Sequence, residues 1–171
     1  MNGFDFRIEG RIAKILLNRP GDQNLLSRDL LLSLQTVASD LAANSDIQVL
    51  TIIGEGTECF SVGILTPVLR AQLAKDDVLK LIRLANETFD AIDALPQIVI
   101  AGLNGYARAG AVELILACDI RIAAEHARLS FPEAKWGGFP GAGAPVRLPD
   151  IIGAGRTLEA ETLGEIGRDR L

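Results

Sequence analysis

IVIAGLNGYARAGAVELILACDIRIAA, residues 98–124, holds the pattern that decides the fold. The run of branched apolar residues from Ile98 to Leu103 has the composition of a buried strand, and Asn104-Gly105 is a turn signal that stops it. After Arg108, a small-residue stretch, Ala109-Gly110-Ala111, enters an apolar run that predicts a helix over 111–117. Ile120 to Ala124 then reads as another strand. Strand, turn, short helix and strand within so few residues predict parallel strands joined by crossovers. Inside the apolar run stands a single carboxylate, Glu113. A first-turn carboxylate complements the helix dipole and by itself implies nothing more. The same bare helix N-terminus is also where a developing negative charge is stabilised.

The pattern repeats outward from this stretch. RIAKILLNRP alternates and then runs apolar, a strand closed by Pro20. Ser27 is placed to cap a helix with Leu30, Leu34, Val37 and Leu41 on one face. VLTIIGEG reads as a short buried strand. Asp76 or Asp77 is expected to cap a helix in which Val78, Leu81, Ile82, Ala85, Phe89 and Ile92 keep helical spacing until Pro96. ARLSF is a further extended piece, and the stretch after Pro149 holds one helix-compatible run and a charged tail. There is no internal repeat and no linker. The alternation predicts an α/β fold whose strands are buried on both faces.

Composition narrows the function. With 171 residues and 49% hydrophobic content, the chain can bury one substantial core. No apolar run approaches the roughly 18 residues of a membrane span. Asp5 and Glu9 interrupt the start where a signal peptide needs an apolar stretch, so a cytoplasmic location is expected. The 17 basic residues are scattered and the net charge is -5, without the basic stripe a nucleic-acid partner requires. A single histidine, His126, leaves no multi-histidine metal site, and no metal is expected. Cys59 and Cys118 read as two buried free thiols.

Gly54-Glu55-Gly56 and GAGAPV both lack the third glycine of a dinucleotide fingerprint. CFSVG, residues 59–63, nearly matches a hydrolase nucleophile elbow around Ser61, with Asp119 and His126 following in order. No helix pattern directly follows Ser61, so a buried or loop serine is the better reading. Glu113 and Glu133 remain: two carboxylates beside an apolar pocket could have raised pKa values and act as an acid/base pair.

IAKILLNRPGDQNLLS, ECFSVGIL, the block from LNGYARAGAVELILACD through FPEAKWGGFPGAG, and RLPDIIGAGR together resemble the crotonase family of enoyl-CoA hydratases and isomerases over nearly the whole chain. The resemblance implies an α/β crotonase-like (ClpP/crotonase) spiral of repeated ββα units, C-terminally shortened: a core over 1–154, then a short helix and tail over 155–171. It also implies an acyl-CoA thioester as substrate, coenzyme A being part of that substrate, with no separate cofactor. The enolate oxygen would be held by the backbone N–H groups of Ile64 and Gly110. Glu113 would help activate water and Glu133 would exchange a proton with the carbon next to the thioester. Ser61, Gly63, Leu65, Ala109, Trp136 and Gly141 would line the substrate site. Retention of both glutamates favours hydration of a 2-enoyl-CoA. Double-bond isomerisation or another enolate-forming lyase reaction is the alternative on the same site, and a non-catalytic CoA-thioester-binding or assembly homologue is the alternative of a different class. A homotrimer or homohexamer is implied, with no nucleic acid and no membrane partner.

Three departures stand out. The family has a Gly-rich run where this chain has Ala109-Gly110-Ala111, a change expected to be mild. It often has Ala-Asp where Ile64-Leu65 stand, so the Ile64 side chain is expected to narrow the acyl site. Family members also continue well past the position of Leu171 into helices that build the trimer.

Overall fold

The chain opens with an antiparallel pair, β1 (Phe4–Glu9) and β2 (Ile12–Leu17), in a computed structural model that describes residues 3–165. Ser27 then caps α1 (Arg28–Ala42), its hydroxyl accepting the Leu30 N–H. Leu30, Leu34, Val37 and Leu41 are buried along one face of this helix, as their spacing predicts. The crossover returns the chain to β3 (Val49–Gly54), parallel to β2.

From here one unit recurs. A long strand of the main sheet is followed by a three-residue strand of a second sheet and then by a helix. The first such unit is β3, β4 (Cys59–Ser61), α2 (Pro67–Gln72) and α3 (Lys75–Asp93). The second is β5 (Ile98–Leu103), β6 (Tyr106–Arg108) and α4 (Gly110–Leu116). The third is β7 (Ile120–Ala123), β8 (Arg128–Ser130), a 3₁₀ turn at Glu133–Trp136 and α5 (Ala144–Ile152). The main sheet runs β1-β2-β3-β5-β7 and is parallel from β2 onward; the small sheet β4-β6-β8 is parallel throughout. Because the small strands pair in parallel, the loops leaving β4, β6 and β8 all emerge at one edge. That edge is where an open parallel sheet places its ligands.

Three expectations need correction. Asp76 and Asp77 do not cap α3: Ala74 holds the cap position, and both aspartates sit in the first turn, where they act on the dipole. The main sheet is covered on one face only. Ile12, Ile53, Ile98, Ile120 and Ile122 are exposed on the other, because each strand alternates and only one set of its side chains is buried. Cys118 is buried, but Cys59 is only half-buried. The short helix expected from 155 is α6 (Ala154–Leu163), which packs on α5 and on the Glu133–Trp136 turn. The remainder of the expected tail, 166–171, lies outside the described residues.

Candidate active site

The loop after β4 is braced from below by two buried polar side chains. Asn24, in the left-handed region at φ 54°, donates through Nδ2 to the carbonyls of Cys59 and Phe60. Ser61 is fully buried; its hydroxyl donates to the Asn24 carbonyl at 2.6 Å and accepts the Gly63 N–H at 3.0 Å. Ser61 therefore shapes the turn into Ile64 and does not line an open site. Its supposed partners are elsewhere: Asp119 accepts the Val99 N–H, and the His126 ring nitrogen sits on the Thr57 and Asn104 carbonyls. The hydrolase reading has no geometry behind it.

The loop after β6 meets this turn. Gly63 has φ 85°, and a Cβ there would stand 2.5 Å from the Arg108 carbonyl oxygen and 2.9 Å from the Gly110 nitrogen. A Cβ on Gly110 would in turn meet the Ile64 side chain at 2.4 Å and its backbone nitrogen at 3.3 Å. Glycine at both positions lets two backbones touch. Among the described residues the Ile64 N–H has no hydrogen-bond acceptor, and the Gly110 N–H opens α4, where first-turn amides lack intrahelical partners. Two such amides side by side are suited to an anionic oxygen.

Ala109, which caps α4, carries φ 55° and ψ −128°. Alanine is strained there, held by its own N–H donating to the Ser130 carbonyl at 2.8 Å. The replacement of glycine at this position is thus a costly change rather than a mild one. The Ile64 side chain is buried over Gly110 and also lines a cavity of about 660 Å³ with Leu25, Leu69, Leu81 and Leu84, and with Arg28 and the Asp77–Lys80 ion pair. The lining of this cavity includes neither glutamate.

Glu113 is 2% exposed on α4. One of its oxygens accepts the N–H groups of Ala142 at 2.6 Å and Ala144 at 3.2 Å, so the start of α5 locks the carboxylate in place. Arg147, paired with Asp90 and Asp93, ties α5 in turn to α3. Burial pushes the Glu113 pKa up to about 7, against the lowering pull of the two amides and with added repulsion from Glu133 and Glu161. Glu133 opens the 3₁₀ turn that follows β8. Burial pushes its pKa to about 7 as well; its own backbone N–H and Arg108 lower it, and Glu161 raises it. Its Oε2 is buried without a hydrogen-bond partner.

The other expected site residues are dispersed around this centre. Leu65 packs half-buried against the core beside Ile64. Trp136 is 46% exposed, with the Arg108 guanidinium 5.2 Å from its ring centroid, a cation–π contact. Gly141 donates no side chain; its carbonyl accepts from Asn86 Nδ2 at 2.6 Å and so fixes the loop that presents Ala142 to Glu113. The sequence reading missed Asn24, Arg108 and Glu161. Asn24 sat visibly after a Pro-Gly turn, but nothing in the sequence places the other two beside Glu133. Among the described residues no His, Cys, Asp or Glu cluster could hold a metal ion, and no helix is long and apolar enough to cross a membrane.

Comparison with known proteins bears on this arrangement. Residues 7–166 match the profile of the enoyl-CoA hydratase/isomerase family. A Bacillus subtilis (strain 168) relative named "Putative enoyl-CoA hydratase/isomerase YngF" is 43% identical over 148 residues, 86% of this chain and 56% of its own length. An enoyl-CoA hydratase from Bacillus anthracis superposes with a TM-score of 0.93 at 35% identity, covering 98% of this chain and 66% of that one. DspI from Pseudomonas aeruginosa superposes at 0.92 and 31% identity, covering 99% and 69%. The chain therefore spans a little over half of the first relative and about two thirds of these structures, and its fold is the α/β crotonase-like spiral that the resemblance implies.

Proposed function

This chain belongs to the enoyl-CoA hydratase/isomerase family, and from that premise we propose that it binds an acyl-CoA thioester and adds water across the double bond of a 2-enoyl-CoA. The observation that carries the reading is the pair formed by buried Glu113, on the helix that Gly110 opens beside Ile64, and half-buried Glu133, both with pKa pushed to about 7 and repelling one another. The thioester oxygen would lie against the Ile64 and Gly110 N–H groups. Electron density then moves onto that oxygen as the β-carbon is attacked, and losing one such donor typically costs about 2.7–4 kcal/mol of transition-state stabilisation.

Glu113 takes a proton from water, the resulting hydroxide oxygen bonds to the β-carbon, and Glu133 gives its proton to the α-carbon as the enolate collapses. The sum is one water added. At neutral pH the repulsion between the two acids favours one proton between them, the state this step needs. The backbone supplies the electrophile, so the reading calls for no cofactor beyond the coenzyme A of the substrate. The apolar cavity beside Ile64 suits the acyl chain, and Arg28 in its lining suits a phosphate of coenzyme A. Ile64, reaching into this cavity, restricts it toward shorter or unbranched acyl groups.

Isomerisation needs only one carboxylate, and the locked, buried Glu113 favours hydration over it. The test is incubation of the purified protein with crotonyl-CoA, following loss of enoyl-thioester absorbance. Hydration supports the reading; migration of the double bond supports the isomerase; no change despite binding supports a non-catalytic homologue.

A further inference from the structure

Glu113 and Glu133 are chemically alike, yet hydration needs one ionised and the other protonated. The backbone favours the Glu113 anion more than the Glu133 anion, which has only its own N–H. Glu113 receives two amide donors, which favour its anion, whereas Glu133 Oε2 is buried with no donor at all.

On the other side stands a carboxylate that the motif reading did not single out. Glu161 lies on α6, one turn before the residue that anchors this helix to the Glu133 loop: the Gly164 carbonyl accepts the Phe131 N–H at 3.1 Å. Glu161 Oε1 is also buried without a partner, and Glu161 is close enough to raise the proton affinity of both Glu133 and Glu113. We infer that Glu161 is a positioning residue of the proposed acid–base pair: its carboxylate, on the helix packed against the Glu133 turn, keeps one transferable proton on the pair, while the two amides leave Glu113 the better base.

The other charged groups around Glu133 do not supply this bias. Arg108, from β6, pulls toward the Glu133 anion. Lys135 lies on the same 3₁₀ turn, its amine directed to Gly164 at the end of α6. Glu113, from α4, is itself held by Ala142 and Ala144. A like charge on α6 is what offsets Arg108, and it acts without touching substrate. Two neighbouring carboxyl oxygens without donors cannot both stay ionised cheaply, so the trio titrates as a set with one proton retained within it.

The inference rests on the hydratase reading for its purpose, but its test does not need turnover. The side-chain carboxyl carbons of ¹³C-glutamate-labelled protein are titrated by NMR, with the Glu133 signal assigned through Glu133→Gln. In Glu161→Gln the apparent Glu133 titration is expected to fall by about 0.5 to 1 pH unit, and Glu161→Asp, which keeps the charge, should restore most of it. Where the wild type hydrates crotonyl-CoA, the basic limb of its pH–rate profile should move to lower pH in Glu161→Gln by a similar amount. An unchanged Glu133 titration in a folded Glu161→Gln protein overturns the inference, whether or not the protein turns over enoyl-CoA. Absence of hydration with the expected Glu133 shift overturns only the reaction assigned above.

Discussion

The Glu113 carboxylate accepts the Ala142 N–H at 2.6 Å and the Ala144 N–H at 3.2 Å, so one oxygen of a buried acid joins α4 to the start of α5. This couples stability to chemistry at a single side chain, and two substitutions separate them. Glu113→Gln keeps an acceptor for both amides and should fold with little change in melting temperature, while hydration falls by about 10²–10⁴-fold with coenzyme A thioester affinity nearly intact. Glu113→Ala strands two buried N–H groups and should destabilise the protein by about 1–3 kcal/mol as well. Thermal melts beside crotonyl-CoA kinetics check both; equal stability losses in the two variants would remove the bridging role.

The raised pKa of Glu113 also has a consequence for stability. Its folded-state pKa, about 7, lies above the ordinary 4.5. The folded protein therefore binds a proton more tightly than the unfolded chain does. The stabilisation is fully present below pH 4.5 and is lost as pH rises through about 7. Relative to Glu113→Gln, which has no such proton, the wild type should lose stability across that window and remain constant above it. Urea midpoints measured from pH 4 to 9 provide the comparison, and a difference that does not vary with pH would contradict the buried, raised carboxyl.

Ala109 occupies φ 55° and ψ −128°, a conformation that glycine adopts freely and alanine does not. Ala109→Gly should be neutral or stabilising by up to about 1 kcal/mol, since relief of strain offsets the added freedom of the unfolded chain. Ala111→Gly, inside α4 with ordinary helical backbone, should instead cost about 1 kcal/mol. Denaturant unfolding of the two variants decides the matter through the sign of the difference.

These effects show what the sequence could and could not disclose. The helix around Leu30, Leu34, Val37 and Leu41 with its Ser27 cap was legible because burial and spacing agree along one element. Glu113 and Glu133 stand out in the sequence as lone carboxylates in apolar or Gly/Pro-rich settings, but their pairing is implied by the family resemblance rather than by spacing. The three-residue strands β4 and β6 were not, since so short a segment has no period, and their parallel pairing is what brings Ile64 to Gly110. Glu161 was hidden for a different reason: on α6 it reads as one more solvent-facing charge, and only the packing of that helix on the Glu133 turn buries one of its oxygens.

Ser61 should not behave as a nucleophile. Its hydroxyl is fully buried and committed to the Asn24 carbonyl and the Gly63 N–H. A fluorophosphonate probe should leave the protein unlabelled. Ser61→Ala should cost about 1–3 kcal/mol through the unsatisfied Asn24 and Gly63 groups. Mass spectrometry after probe treatment reads the first outcome, and stoichiometric adduct on Ser61 would restore the hydrolase reading.

The main sheet leads to the last expectation. Its strands are in register such that Ile12, Val49 and Ile98 form one row on the uncovered face. Leu16, Ile53, Gly102 and Ile122 form another, with Ile53 lying across Gly102. Ile100 and Ile120 sit between them. Parallel sheets are ordinarily covered on both sides, and a contiguous apolar patch beyond a few hundred Å² marks an interface. The chain is therefore expected to self-associate with this face covered by a second copy. Ile98→Lys and Ile122→Lys change residues that point to solvent and should leave the fold intact, while placing charges within the contact. Light scattering over a dilution series should show association of the wild type and a shift toward monomer in both variants, with helical content unchanged by circular dichroism. A wild type that stays monomeric at every concentration and binds no apolar dye would show that this face tolerates water. Association unaffected by either lysine would place the contact on another surface of the core.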